Sequence, residues 1–210
     1  MTVLRIDASI QGPRSASSEL ADIAEAEWLA VRPDTTFVRR HLGADPLPAD
    51  AWATAVHAGF TPEEQRTAEQ RQARRLAETL AAELRDADAV ILALPLYNWG
   101  VSQHTKTWID LAIAGGAHAE RLLDGKPAVV LTTRGGGYSP GTPREGWDHN
   151  TAYLRRIVGD VWGADLTLIE RELTLAGVNP AMAAFIETAE LLKKTAHEAA
   201  TNAGRSLASR

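Results

Sequence analysis

Short apolar runs of strand length alternate along the chain with longer stretches whose apolar positions recur every three or four residues. Val3–Asp7 (VLRID) is an apolar run that ends in a polar loop. Leu20, Ile23, Ala24, Trp28 and Val31 then fall at helical spacing, and Pro33 closes that helix. Thr35–Arg40 reads as a second strand. Leu42–Phe60, broken by Pro46, Pro48 and Gly59, reads as irregular with a helical turn near Trp52. Thr61-Pro62-Glu63-Glu64 has the form of a helix start, with Thr61 as cap and Glu64 closing a capping box. The stripe Ala73, Leu76, Ala77, Leu80, Ala81 and Leu84 follows.

Asp88–Pro95 is apolar on both faces, as a central parallel strand must be, and Pro127–Gly137 repeats the design before a glycine-rich corner. Periodicity further predicts a helix over Asn150–Ile157, a strand over Leu166–Glu170 and a last helix over Ala181–Ser206. Strictly alternating strands and helices specify an α/β domain: a doubly wound five-stranded parallel sheet, order 2-1-3-4-5, with helices on both faces. No internal repeat or linker interrupts residues 1–210, which are expected to form one domain.

In such a sheet, ligands sit beyond the carboxyl ends of the strands where strand order reverses. Three corners at that edge carry unusual polar sequence: DASIQGPRSASS, PLYNWG and TTRGGGYSPG. The first offers Ser9, Ser15, Ser17 and Ser18 directly before a helix N-terminus, a combination that suits a phosphate. It lacks the P-loop lysine, so triphosphate chemistry has no support. The second sets Leu96, Tyr97 and Trp99 around Asn98, a ring-sized platform with a polar edge. The third supplies Thr133 and Arg134 as donors, and Gly135 and Gly136 where backbone can approach closely. A ligand with a phosphate at one end and a planar heterocycle at the other fits all three corners. Flavin mononucleotide (FMN) has that shape.

Composition narrows the partners. Apolar residues are 45% and charged residues 23% of the 210, and the formal charge is 22 − 27 = −5, which gives a nucleic acid no electrostatic support. There is no cysteine, so thiolate nucleophiles, iron–sulfur clusters and disulfides are excluded. The six histidines show no ligand spacing, and no metal is expected. The N-terminus lacks a signal-peptide pattern, and the most apolar run, Ala89–Leu96, is far short of the ~20 residues of a membrane span. A soluble cytoplasmic protein, without a membrane partner, is the expectation.

The segment PLYNWGVSQHTKTWIDL resembles the corner and helix of the flavodoxin-like, FMN-dependent NAD(P)H:quinone and azobenzene reductases. TTRGGGYSPG is similar to that family's glycine corner, Asp148 and Tyr153-Leu154 to a further element, and Ser9…Ser15-Ala16-Ser17 to its phosphate loop. The resemblance implies a homodimer that uses FMN, takes electrons from NADH or NADPH and reduces a small aromatic acceptor. It assigns Ser9, Ser15, Ala16 and Ser17 to the phosphate. Leu96, Tyr97, Asn98 and Trp99 would follow one edge of the ring, and Thr133, Arg134, Gly135 and Gly136 another. Flavin needs no protein nucleophile, so no catalytic side chain is assigned. Tyr138 and His149 are candidate proton donors to the acceptor. The chain departs from the family pattern in its short Gly115–Gly125 segment and at Asp160, which stands where a phenylalanine is usual. Asp160 and Trp162 are therefore expected in the acceptor pocket, with a preference for larger or more polar acceptors. Two other classes share the pattern: a reductase dedicated to one biosynthetic metabolite, and an electron-transfer protein without a substrate of its own.

Overall fold

The computed structural model describes all residues from Met1 to Arg210. Five parallel strands form one sheet: β1 (Thr2–Asp7), β2 (Thr36–His41), β3 (Ala89–Ala93), β6 (Pro127–Thr133) and β7 (Asp165–Arg171). Between β3 and β6 lies a two-stranded antiparallel hairpin, β4 (Leu96–Tyr97) and β5 (Gly100–Val101). The order β2-β1-β3-β6-β7 is the expected 2-1-3-4-5 arrangement once the hairpin is set aside. It reverses between β1 and β3, which pair in register from Val3↔Ala89 to Asp7↔Ala93. Their carboxyl ends, with that of β6, open onto the same edge.

Alternation along each strand sends side chains to two separate cores. Leu4, Ile6, Val90, Leu92 and Val130 face α2 (Ala51–Gly59), α3 (Ala68–Asp86) and α4 (Gln103–Gly115). Val3, Ala89, Ile91, Val129 and Leu131 face α1 (Ala16–Val31) and α6 (Ile186–Ala208). Gly204 lets α6 close on α1, because a Cβ there would lie 2.3 Å from the Ala24 carbonyl oxygen.

Three local expectations change. Ala51–Gly59 is a full helix, since Ala51, Ala55 and Ala58 give it a buried face that the flanking prolines obscured. The 3-10 turn Glu63–Gln65 follows Thr61-Pro62, and α3 begins only at Ala68. Its capping box is Thr67–Gln70, with both reciprocal bonds made, while the Thr61 hydroxyl donates to the His57 carbonyl instead. The helix expected to end at Ile157 starts as α5 (Thr151–Leu154) and widens to a π-helix over Arg155–Val161. That widening carries the chain to Trp162. No helix is long and apolar enough to cross a membrane.

Candidate active site

The first corner leaves β1 at Asp7, turns through a 3-10 segment at Gly12–Arg14 and enters α1. Ser15 caps the helix: its Oγ accepts from the Ser18 amide at 3.1 Å and lies 3.2 Å from Ser17 Oγ. The amides of Ala16 and Ser17, in the first helical turn, have no acceptor within the chain. Ser18 Oγ is buried and also without a partner. Unsatisfied donors at the positive end of a helix form a ready anion site.

The hairpin corner is built on two residues with positive φ, Asn98 at 48° and Trp99 at 65°. A two-residue hairpin loop of the I′ type demands that backbone at both positions, and asparagine tolerates it where tryptophan does not. The strain at Trp99 is held by its surroundings. The His149 amide donates to the Trp99 carbonyl at 2.9 Å, and Trp147 meets its ring edge-on at 6.2 Å between centroids. Trp99 remains 46% exposed, so burial does not explain this placement. A bulky residue kept in a strained turn marks a surface that contacts something.

At the third corner β6 ends at Thr133, and the amides of Gly135 and Gly136 find no acceptor in the chain. Added Cβ atoms would sit 2.7 Å from Leu175 Cδ1 and 2.8 Å from Arg144 Nη1, so both glycines admit close neighbours. The three corners line one cleft of about 450 Å³. Ser9, Ala16, Leu96, Tyr97, Asn98, Trp99, Thr133, Gly135, Gly136 and Tyr138 all face it. Ser15 and Ser17 lie behind that wall, both buried, and shape the helix start rather than the cleft surface.

The Arg134 side chain does not join them. It is buried and points across β7, with Nε 2.7 Å from Asp148, Nη2 2.6 Å from Glu170 and Nη1 2.8 Å from Glu172. Burial works against its charge, but Glu170, Asp148 and Glu172 more than compensate, and its pKa is raised. Burial likewise works against the Asp148 carboxylate. Donation from the Thr151 amide and hydroxyl, the Asn150 amide and Arg134 outweighs it, holding the pKa below the ordinary range. Glu172 Oε2 accepts from the Tyr138 amide at 3.0 Å. Arg134 is thus a structural hub that fixes the 138 and 148–151 segments, and its guanidinium is not a cofactor donor.

Three further expectations are corrected. Trp162 is fully buried and packs edge-on against Trp108 at 5.4 Å, because the π-helix turns it into the core. Asp160 pairs with Arg156 one turn earlier, at 2.7 Å, and is exposed. It lines a separate charged hollow of about 510 Å³ with Arg134, Asp148 and Glu170, outside the cleft of the three corners. His149 is exposed, does not line the cleft and meets the site through its backbone amide on the Trp99 carbonyl. The cleft also holds Gln11, Arg14, Arg144, Thr174, Leu175 and Val178, none of them expected. Arg14, inside the serine-rich corner, was visible in the sequence. Leu175 and Val178 follow β7 and carry no local motif.

The residues fit FMN where they can be tested. Free amides of Ala16 and Ser17 stand at the phosphate end, and free glycine amides and an aromatic shelf at the ring end. A family model for the flavodoxin-like fold matches residues 1–191. An FMN-dependent NADH:quinone oxidoreductase of Frankia casuarinae is 40% identical over 203 residues, covering 94% of this chain and 96% of the relative. A Streptomyces avermitilis protein of the same description is 38% identical, over 100% of this chain and 98% of its own. The crystal structure of an azoreductase from Bacillus anthracis superposes with a TM-score of 0.77 at 22% identity, covering 98% and 99% of the two chains, which speaks for the fold. The chain belongs to the flavodoxin-like fold family, among the FMN-dependent NADH:quinone oxidoreductases.

Proposed function

We propose that this chain binds FMN and passes two electrons from NADH to a quinone or a related aromatic acceptor such as an azo compound. The observation that carries the reading is the convergence of the serine corner, the strained hairpin and the glycine corner on one cleft. When bound, FMN supplies the two-electron chemistry: NADH and a proton enter, NAD⁺ leaves, and the quinone departs as its hydroquinone.

The chain's own residues bind and orient. Ser9 and the amides of Ala16 and Ser17 receive the phosphate, the Ser15 and Ser17 hydroxyls hold the helix start behind them, and Arg14 adds a positive charge beside it. Leu96, Tyr97 and Trp99 form the shelf along the ring, with the Asn98 amide at its edge. The free amides of Gly135 and Gly136 offer hydrogen bonds to a ring edge that becomes electron-rich on reduction. Tyr138 lines the same cleft and is the candidate donor of a proton to the reduced acceptor.

The working form is a homodimer in the cytoplasm, where NADH is supplied. The exposed aromatic rings of Trp52, Phe60, Trp99 and Trp147 support a second copy as cover. Sedimentation at micromolar concentration tests the dimer. The catalytic reading is tested by loading the purified protein with FMN and following NADH oxidation with menadione. Failure to retain FMN, or retention without NADH-dependent quinone reduction, overturns it.

A further inference from the structure

The cleft carries two arginines, Arg14 and Arg144, and not one carboxylate among its lining residues. That is unusual in a chain whose acidic residues outnumber its basic ones, 27 to 22. Most of its other arginines end on Asp or Glu. Arg14 stands at the phosphate corner. Arg144 stands elsewhere and has no ion pair. Its neighbour Glu145 is engaged, accepting from the Gly141 amide at 2.8 Å.

The Arg144 guanidinium lies over the Tyr138 ring, 5.9 Å from its centroid. Its Nη1 fills the space where Gly136 lacks a side chain. Stacking on an aromatic face fixes the plane of a guanidinium and leaves its edge donors free. The Arg144 carbonyl accepts from the Trp147 amide, and Trp147 touches Trp99, so this arginine belongs to the loop that meets the hairpin. A positioned, unpaired cation at the glycine and hairpin corners has no role in holding a phosphate at the other end.

We propose that Arg144 is a specificity residue that selects aromatic acceptors bearing an anionic substituent, a carboxylate, sulfonate or ionised hydroxyl. The acceptor's ring lies in the cleft and its anion meets the edge of the guanidinium. The inference rests on the quinone-reductase reading and names its substrate class. The same cation could instead meet the diphosphate of NADH, and the kinetics distinguish the two anions.

The test uses FMN-loaded wild type, Arg144→Gln and Arg144→Lys. The ratio of kcat/KM for naphthoquinone sulfonate to that for menadione should fall about tenfold in Arg144→Gln and recover in part in Arg144→Lys. If the ratio holds while KM for NADH rises, the anion belongs to the donor and the acceptor assignment is overturned. A ratio and a KM both unchanged overturn it as well. Binding supplies a readout independent of turnover. Calorimetric Kd values for naphthalenesulfonate relative to naphthamide should shift by a similar factor, about tenfold, in Arg144→Gln. Loss of that binding preference with quinone turnover absent from the wild type removes the catalytic reading and leaves the anion subsite standing. Equal binding shifts for both probes, with turnover intact, remove the subsite and leave the reading.

Discussion

The hydroxyl of Tyr97 lies 3.2 Å from Ser9 Oγ and accepts from the Ile10 amide at 3.1 Å, joining the hairpin corner to the serine corner. The two corners are 88 residues apart in sequence at their point of contact, and Ser9 also accepts from the Gln11 amide. One phenol oxygen therefore sets the spacing between the shelf and the phosphate end. Tyr97→Phe keeps the ring and removes that tie. A single hydrogen bond contributes roughly 0.5–1.5 kcal/mol, so the Kd for FMN should rise by about three- to tenfold. Fluorescence titration of the apoprotein measures it, and an unchanged Kd shows that the tie does not set the spacing.

Ala16 is the mildest place to challenge the phosphate end. It lines the cleft at the first position of α1, where an acidic residue suits the helix dipole. Ala16→Glu should therefore leave thermal stability intact while a carboxylate competes for the amides and repels the phosphate. The purified variant should lose its FMN. Retention of a full flavin complement would place the phosphate elsewhere.

The Arg134 hub sets a dependence on pH. The Asp148 carboxyl is held below its ordinary pKa by Thr151, Asn150 and Arg134 against the opposing effect of burial. A carboxyl whose folded pKa lies below its unfolded value, about 3.9, stabilises fully above that value. The contribution is lost as pH falls through the folded value. Asp148→Asn should be less stable than wild type at pH 7, and the gap should narrow on acidification below about pH 4. Urea midpoints across that range measure it, and a gap that widens in acid contradicts the assignment.

Trp162 and Asp160 separate core from surface. Trp162→Ala empties a fully buried site beside Trp108 and should cost about 3–5 kcal/mol of stability. Asp160→Phe removes only an exposed ion pair with Arg156, which should change stability by less than about 1 kcal/mol. Acceptor selectivity should follow wild type in Asp160→Phe. A changed ranking of quinones there would return Asp160 to the acceptor pocket.

What the sequence determined by itself was the part written in local pattern. Two-sided apolar runs at Ala89–Ala93 and Pro127–Thr133 require a covered parallel sheet, and strand-helix alternation orders it. Polar residues crowded at strand ends marked the corners, and parallel topology brings such ends to one edge, so the shared edge was legible in the pattern alone. Helix starts were less so. Thr61 and Thr67 both carry cap chemistry, but Thr67 makes the capping box while the Thr61 hydroxyl turns back to the His57 carbonyl at the end of α2. Tertiary structure alone decided the direction of each side chain. Arg134 stands in a motif beside two cleft-lining glycines, yet Glu170 and Glu172 on the neighbouring strand draw its charge away from the cleft. A π-helix, invisible in a period of three or four residues, rotates Trp162 into the core. Arg144 has no motif, and it joins the site because its loop folds back over Tyr138. Backbone pattern follows from neighbours in sequence, whereas the partner of a charge or a ring follows from neighbours in space.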